Sequence, residues 1–78
     1  MKHVIIYSTP TCVYCKMAKA LFKEKEIPYE EKDVAVDMAA RDEMIEKSGQ
    51  LGVPVIDIGG HIVVGFDRSK LLDLIGVK

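Results

Sequence analysis

Cys12 and Cys15 are the two cysteines of this 78-residue chain, and their spacing is its most direct statement of chemistry. Three apart at the start of a helix, they share one face of its first turn, and their sulfurs can meet. The thiolate is the reactive form of cysteine, and a helix N-terminus stabilises it with free N–H groups and the positive end of the helix dipole. Cys12, nearer that end, is therefore expected to be the nucleophile. Lys16 lies four residues on, and helical side chains lean towards the N-terminus, so its ammonium is expected to approach Cys12. Thr11 is read as the cap of the same helix and as a second support for the thiolate. Cys15, a turn further in, has less access to dipole and solvent, which suits the resolving role of attacking a mixed disulfide.

Other uses of the pair fit less well. A structural disulfide across so short a loop contributes only about 2 kcal/mol and does not persist against cytosolic thiols. Zinc needs four ligands, and the chain adds only His3 and His61, on separate strands without ligand spacing. No complete intrachain metal site is therefore expected, while a metal or iron–sulfur cluster bridging two chains stays open as the alternative. Haem attachment would require histidine where Lys16 stands. A two-chain cluster would leave colour and iron in protein purified without oxygen.

The elements that must position the pair follow from the pattern. His3-Val4-Ile5-Ile6-Tyr7 is a nearly unbroken apolar run, as in a strand covered on both faces. Ser8-Thr9-Pro10-Thr11 breaks it, and a helix from about Cys12 to Lys25 follows, with Met17, Ala18, Leu21 and Phe22 as its apolar stripe and Lys16, Lys19 and Lys23 as a solvated face. Ile27-Pro28 ends that helix. Tyr29 to Val34 is a second strand whose charges suit a sheet edge. Asp37 opens a second helix to about Lys47, with Ala40, Met44 and Ile45 inward and Ser48-Gly49 closing it. Val55 to Ile58 and His61 to Val64 flank Gly59-Gly60, the signature of a two-residue hairpin. Asp67 caps a third helix carrying Leu71, Leu72, Leu74 and Ile75, closed by Gly76.

The order is β-α-β-α-β-β-α. A right-handed crossover sets the second strand parallel beside the first, and its polarity keeps it at the edge, so the hairpin must add on the other side. The expected fold is α/β, a three-layer arrangement with a four-stranded mixed sheet of order 2-1-3-4 and helices on both faces. Ser8 to Cys15 then lies outside the carboxyl end of a central strand, where such sheets gather ligands.

Length and composition narrow the function further. Seventy-eight residues, 49% apolar and 29% charged, make one globular domain with no room for a separate substrate domain. Eleven basic against twelve acidic side chains give no positive field for nucleic acid or an anionic membrane. The apolar run before Ser8 is too short for a signal-peptide core or a membrane span, which places the chain in the cytosol. His3 and His61 read as ordinary strand residues, and Met1, Met17, Met38 and Met44 as core filling or a chain start.

Tyr7-Ser8-Thr9-Pro10-Thr11-Cys12-Val13-Tyr14-Cys15, followed by Gly52-Val53-Pro54 and Gly59-Gly60, resembles a glutaredoxin-like redoxin of the thioredoxin fold over essentially the whole chain. The resemblance implies a cis peptide at Val53-Pro54 facing the cysteines, so that Val53's backbone pairs with a bound thiol peptide. Without it that bond would be read as trans, since cis is only about 5–6% of X-Pro bonds. It also implies substrate contacts from Tyr14, Val53, Pro54, Gly65, Phe66 and Asp67; from the residues alone, Tyr14 is equally a packing ring and Phe66 a staple beneath the third helix. No metal or organic cofactor is implied, and the chain is expected to be a monomer.

Departures from the glutaredoxin pattern bear on the electron donor. Thr9 stands where a lysine commonly faces a glutathione carboxylate, and Arg68 where an aspartate faces its amino group, so one favourable charge is removed and another reversed. Arg68 could instead face a carboxylate. Gly52 and Val13 replace the usual Thr and Pro. Val13 and Gly65-Phe66 ahead of Lys70-Leu71 are similar to redoxins that serve ribonucleotide reductase and are recharged by thioredoxin reductase, although Asp67-Arg68 replaces that group's usual Arg-Pro. The expected function is thiol–disulfide exchange on protein or small-molecule disulfides, with electrons from thioredoxin reductase or glutathione.

Overall fold

The structure, a computed structural model, describes residues 3–76. Met1, counted above among the methionines, lies outside the described residues. Seven elements follow in order: β1 (Val4–Ser8), α1 (Val13–Glu24), β2 (Glu30–Asp33), α2 (Met38–Ser48), β3 (Val55–Ile58), β4 (His61–Val64) and α3 (Arg68–Ile75). They form one four-stranded sheet of order β2-β1-β3-β4, with β2 parallel to β1 and the other pairs antiparallel. This is the order expected from the sequence.

Alternation along β1 divides the core in two, because successive side chains point to opposite faces. Val4 and Ile6, with Ile56, Ile58 and Val63, pack against Ala18, Leu21 and Phe22 of α1 and Leu71 of α3. Ile5 and Tyr7, with Val55 and Ile62, pack against Ala40 and Met44 of α2. Exposed Glu30 and Glu31 lie on edge strand β2. At the hairpin, Gly59 and Gly60 both take positive φ, 58° and 98°, the combination a tight turn between right-twisted strands demands.

Helix ends are chemically specified. Asp37 and Asp67 cap α2 and α3 by accepting from the N–H groups of Ala40 and Lys70 at 3.0 and 3.1 Å. Beyond α1, Glu26 is left-handed with φ 56°, and the Ile27 N–H donates back to the Phe22 carbonyl at 2.7 Å. That six-to-one bond, with Ile27 and Phe22 in the same cluster, is how the chain leaves the helix before Pro28.

Two expectations need correction. α1 begins at Val13, with Cys12 rather than Thr11 as its cap. Met17 is 44% and Met38 58% exposed, so of the described methionines only Met44 fills core. The buried stripe of α1 is Cys15, Ala18, Leu21 and Phe22, so Cys15 takes the inward place expected of Met17 while the other three stand as expected.

Candidate active site

Sheet register brings the candidate residues to one end of the molecule. Tyr7 pairs with Val55, and Val55 with Val64, so the segments that follow β1, precede β3 and follow β4 lie side by side. These segments carry Ser8 to Cys12, Val53-Pro54 and Gly65-Phe66. The Gly65 N–H donates to the Pro54 carbonyl at 2.8 Å, which ties two of them together. Gly65 has φ 85° with open space where a Cβ would stand, so its backbone, not crowding, is what requires glycine. The Val53-Pro54 bond is cis. Pro54 is buried and Val53 half-buried. Among the described residues, the backbone N–H and C=O of Val53 have no hydrogen-bond partner.

The two sulfurs are placed unequally. Cys12 is the N-cap of α1, half-buried, and its Sγ accepts a hydrogen bond from the Cys15 N–H at 3.1 Å. A capping serine or aspartate oxygen occupies that place in other helices, so the sulfur receives what the helix end has to offer a negative charge. The Cys12 N–H is held by the Thr9 carbonyl at 3.3 Å, which closes the turn between β1 and α1. Cys15 is fully buried on the core side of the helix. Burial, followed by its contact with Cys12, pushes the Cys15 thiol up to about 12, against smaller opposing effects from the Thr9 backbone and Lys19.

The surroundings of the pair differ from expectation in instructive ways. Thr11 is exposed and the capping acceptor is Cys12 itself, because a sulfur at that position reaches the Cys15 N–H directly. Lys16 is exposed, and its ammonium makes no hydrogen bond to Cys12. Lys19, assigned by pattern to the solvated face, instead bonds Glu31 of β2 at 2.7 Å, and Glu31 accepts from buried Ser8 at 3.0 Å. Its i+4 spacing from Cys15 was visible in the sequence, but the parallel placement of β2 that supplies Glu31 had to be known first.

Tyr14 stands 61% exposed beside the thiols. Phe66 is half-buried, packs on the α1–α3 core and lines a groove of about 550 Å³ with Met17, Ala20, Leu21, Glu24 and Arg68. Phe66 thus packs as the staple, and the groove it lines includes neither cysteine nor Val53-Pro54. Asp67 is engaged as the α3 cap, and Arg68 faces the Glu24 carboxylate at 3.4 Å, an intrachain pair not foreseen from the sequence. Among the described residues, no three His, Cys, Asp or Glu side chains gather as metal ligands, and no helix is long and apolar enough to cross a membrane.

Comparison with known proteins settles the class. The glutaredoxin family model matches residues 4–63. This chain belongs to the glutaredoxin family. It is 50% identical over 70 residues to a glutaredoxin-like 8.6 kDa protein in the rubredoxin operon of Clostridium pasteurianum, covering 90% of this chain and 93% of that one. It is 40% identical over 76 residues to glutaredoxin 3 of Escherichia coli K12, covering 97% and 92% of the two chains. Among solved structures it superposes on a mutant of the thioredoxin-like protein BC3987 with a TM-score of 0.93 at 33% identity over all of both chains. The glutaredoxin of Archaeoglobus fulgidus follows at 0.86 and 26%, covering 96% of this chain and 87% of that one. The fold is thus thioredoxin-like, and the chain is a glutaredoxin-type thiol–disulfide oxidoreductase.

Proposed function

We propose that the chain reduces protein or small-molecule disulfides by a two-cysteine mechanism, and the unequal placement of its sulfurs is the observation that carries this reading. The Cys12 thiolate attacks a substrate sulfur, forming a mixed disulfide and expelling one substrate thiolate. Cys15 then loses its proton and attacks the Cys12 sulfur, which releases the second substrate thiolate and leaves Cys12 and Cys15 joined. Two electrons pass from the dithiol to the substrate, and a donor must return them. No metal or organic cofactor enters the scheme.

The order of events is built into Cys15. While Cys12 is an unattached thiolate, its charge and its contact with Cys15 help hold the Cys15 proton in place. A mixed disulfide at Cys12 is neutral, so both of those influences lapse when the resolving attack is needed. Unpaired Val53 backbone beside the site would hold an extended segment of the substrate in strand fashion, with Tyr14, Pro54 and Gly65-Phe66 around it. Such main-chain pairing supports broad selectivity, with ribonucleotide reductase among candidate partners on the resemblance alone.

For the donor, thioredoxin reductase is favoured over glutathione. Thr9 offers no charge to a glutathione carboxylate, and Arg68, engaged with Glu24, presents a cation where an amino group would be met. The chain is read as acting as a monomer in a reducing compartment such as the cytosol.

Two measurements test this. With a disulfide substrate, Cys12→Ser abolishes turnover, whereas Cys15→Ser accumulates a substrate adduct on Cys12 visible by intact mass. NADPH consumption is then followed with thioredoxin reductase, and separately with glutathione and glutathione reductase. Turnover only with glutathione overturns the donor assignment; absence of the adduct in Cys15→Ser overturns the mechanism.

A further inference from the structure

Once Cys12 is bonded to substrate, what acts on the Cys15 proton is burial, opposed by the Thr9 backbone and by Lys19. Lys19 lies one helical turn after Cys15 on α1, and its side chain leans back over that turn. Its ammonium is fixed by a carboxylate rather than adrift in solvent. Glu31 Oε2 accepts from Lys19 Nζ at 2.7 Å and from Ser8 Oγ at 3.0 Å. Ser8 is buried and adjoins Thr9, whose carbonyl accepts from the Cys12 N–H at 3.3 Å. Ammonium, carboxylate and hydroxyl therefore form one hydrogen-bonded cluster where β1, β2 and α1 meet, one helical turn from the resolving cysteine.

We propose that Lys19, aimed by Glu31 and Ser8, is a positioning residue for the resolving step: its positive charge eases departure of the Cys15 proton. In that step the proton leaves Cys15 Sγ for solvent, the sulfur's electron pair forms the bond to Cys12 Sγ, and the Cys12–substrate bond breaks. Its electron pair departs on the substrate thiolate. Groups facing this cluster are Cys12 and Lys19 on α1, with Tyr29 and Lys23 near the Lys19–Glu31 pair. Glu31 is held ionised by its bond to Lys19, with burial opposing and Ser8 assisting, so the pair keeps its charges across neutral pH. Losing Lys19 would also leave the Glu31 charge uncompensated, which retards deprotonation of Cys15 further.

This inference rests on the two-cysteine mechanism above, and the test separates the two. Stopped-flow reaction of the reduced chain with the aromatic disulfide DTNB releases one coloured thiolate when Cys12 attacks and a second when Cys15 resolves. Lys19→Met and Lys19→Gln are expected to slow the second release severalfold near neutral pH and to move its pH midpoint upward. The first release is the internal reference. Lys19→Arg, which keeps the charge, restores the second phase. An unchanged second-phase pH profile in both neutral variants overturns the proposal, as does equal slowing of both phases, which would mark a merely structural role. A single thiolate per unaltered chain would instead sink the two-cysteine mechanism itself.

Discussion

At the residue scale, the chemistry depends on a sulfur occupying a helix cap. Cys12 accepts from the third N–H of its own helix, so reactivity and helix initiation share one atom pair. Val13, the first helical residue, lies between the cysteines and is 66% exposed. Its N–H is one that the helix cannot satisfy internally, and among the described residues it has no hydrogen-bond partner, so proline fits the position without loss. Val13→Pro is expected to raise stability by about 0.4–1 kcal/mol by narrowing the unfolded ensemble. Thermal melting of the reduced chain checks this; a lower melting temperature would mean that the Val13 backbone is not in the conformation that proline requires.

At the element scale, α2 is fastened to the sheet by a polar network that the pattern of apolar residues gave no hint of. Lys47 Nζ reaches Asp57 Oδ2 and the Tyr7 hydroxyl, both at 2.8 Å, and Glu43 at 3.2 Å; Glu43 also takes Lys32 at 2.8 Å. The other Asp57 oxygen accepts from the Gly60 N–H at 2.8 Å, so the carboxylate also shapes the hairpin. Lys47→Met would leave Asp57, whose side chain is only 11% exposed, without its counter-ion. The expected destabilisation is about 1–3 kcal/mol, or on the order of 10 °C in melting temperature for so small a domain. Recovery of stability in the double variant Lys47→Met, Asp57→Asn would confirm that the stranded charge is the cause. Strand order, edge assignment and the caps Asp37 and Asp67 were legible in the sequence because each follows from local periodicity or one residue's hydrogen-bonding habit. The inward place of Cys15 in α1, the Lys19–Glu31 pair and the Asp57 network were not, because Met17 takes its meaning from the exact helix start and Lys19 and Asp57 from partners 12 and 10 residues away.

At the scale of the whole molecule, so short a chain buries only roughly 60% of its unfolded surface, so the charges coupled to folding are a sizeable part of its stability. Glu43, through its bond to Lys32 and despite burial, is held down at about 2. Glu31 is lowered by Lys19, and Asp57 is lowered because Lys47 and the Gly60 N–H outweigh burial. Carboxylates lowered on folding stabilise the native state at any pH above their unfolded values near 4, and that contribution drains away as the pH falls towards 2. Groups raised on folding act in the opposite sense. The buried Cys15 thiol, at about 12, and Tyr7, raised first by burial, stabilise the native state below their unfolded values and cease to do so as the pH climbs through the folded ones. Melting temperature is therefore expected to fall on the acid side between about pH 4 and 2 and, in the reduced chain, on the alkaline side from near 8.5. Oxidation joins Cys15 to Cys12 and removes its proton from the balance, so the alkaline fall of the oxidised chain should begin only near 10, where the unfolded-state values of tyrosine and lysine lie. Melting curves of the two forms, the reduced one held so by a phosphine, measure the difference directly; coincident alkaline limbs would mean that the buried resolving thiol is not linked to folding as its burial requires.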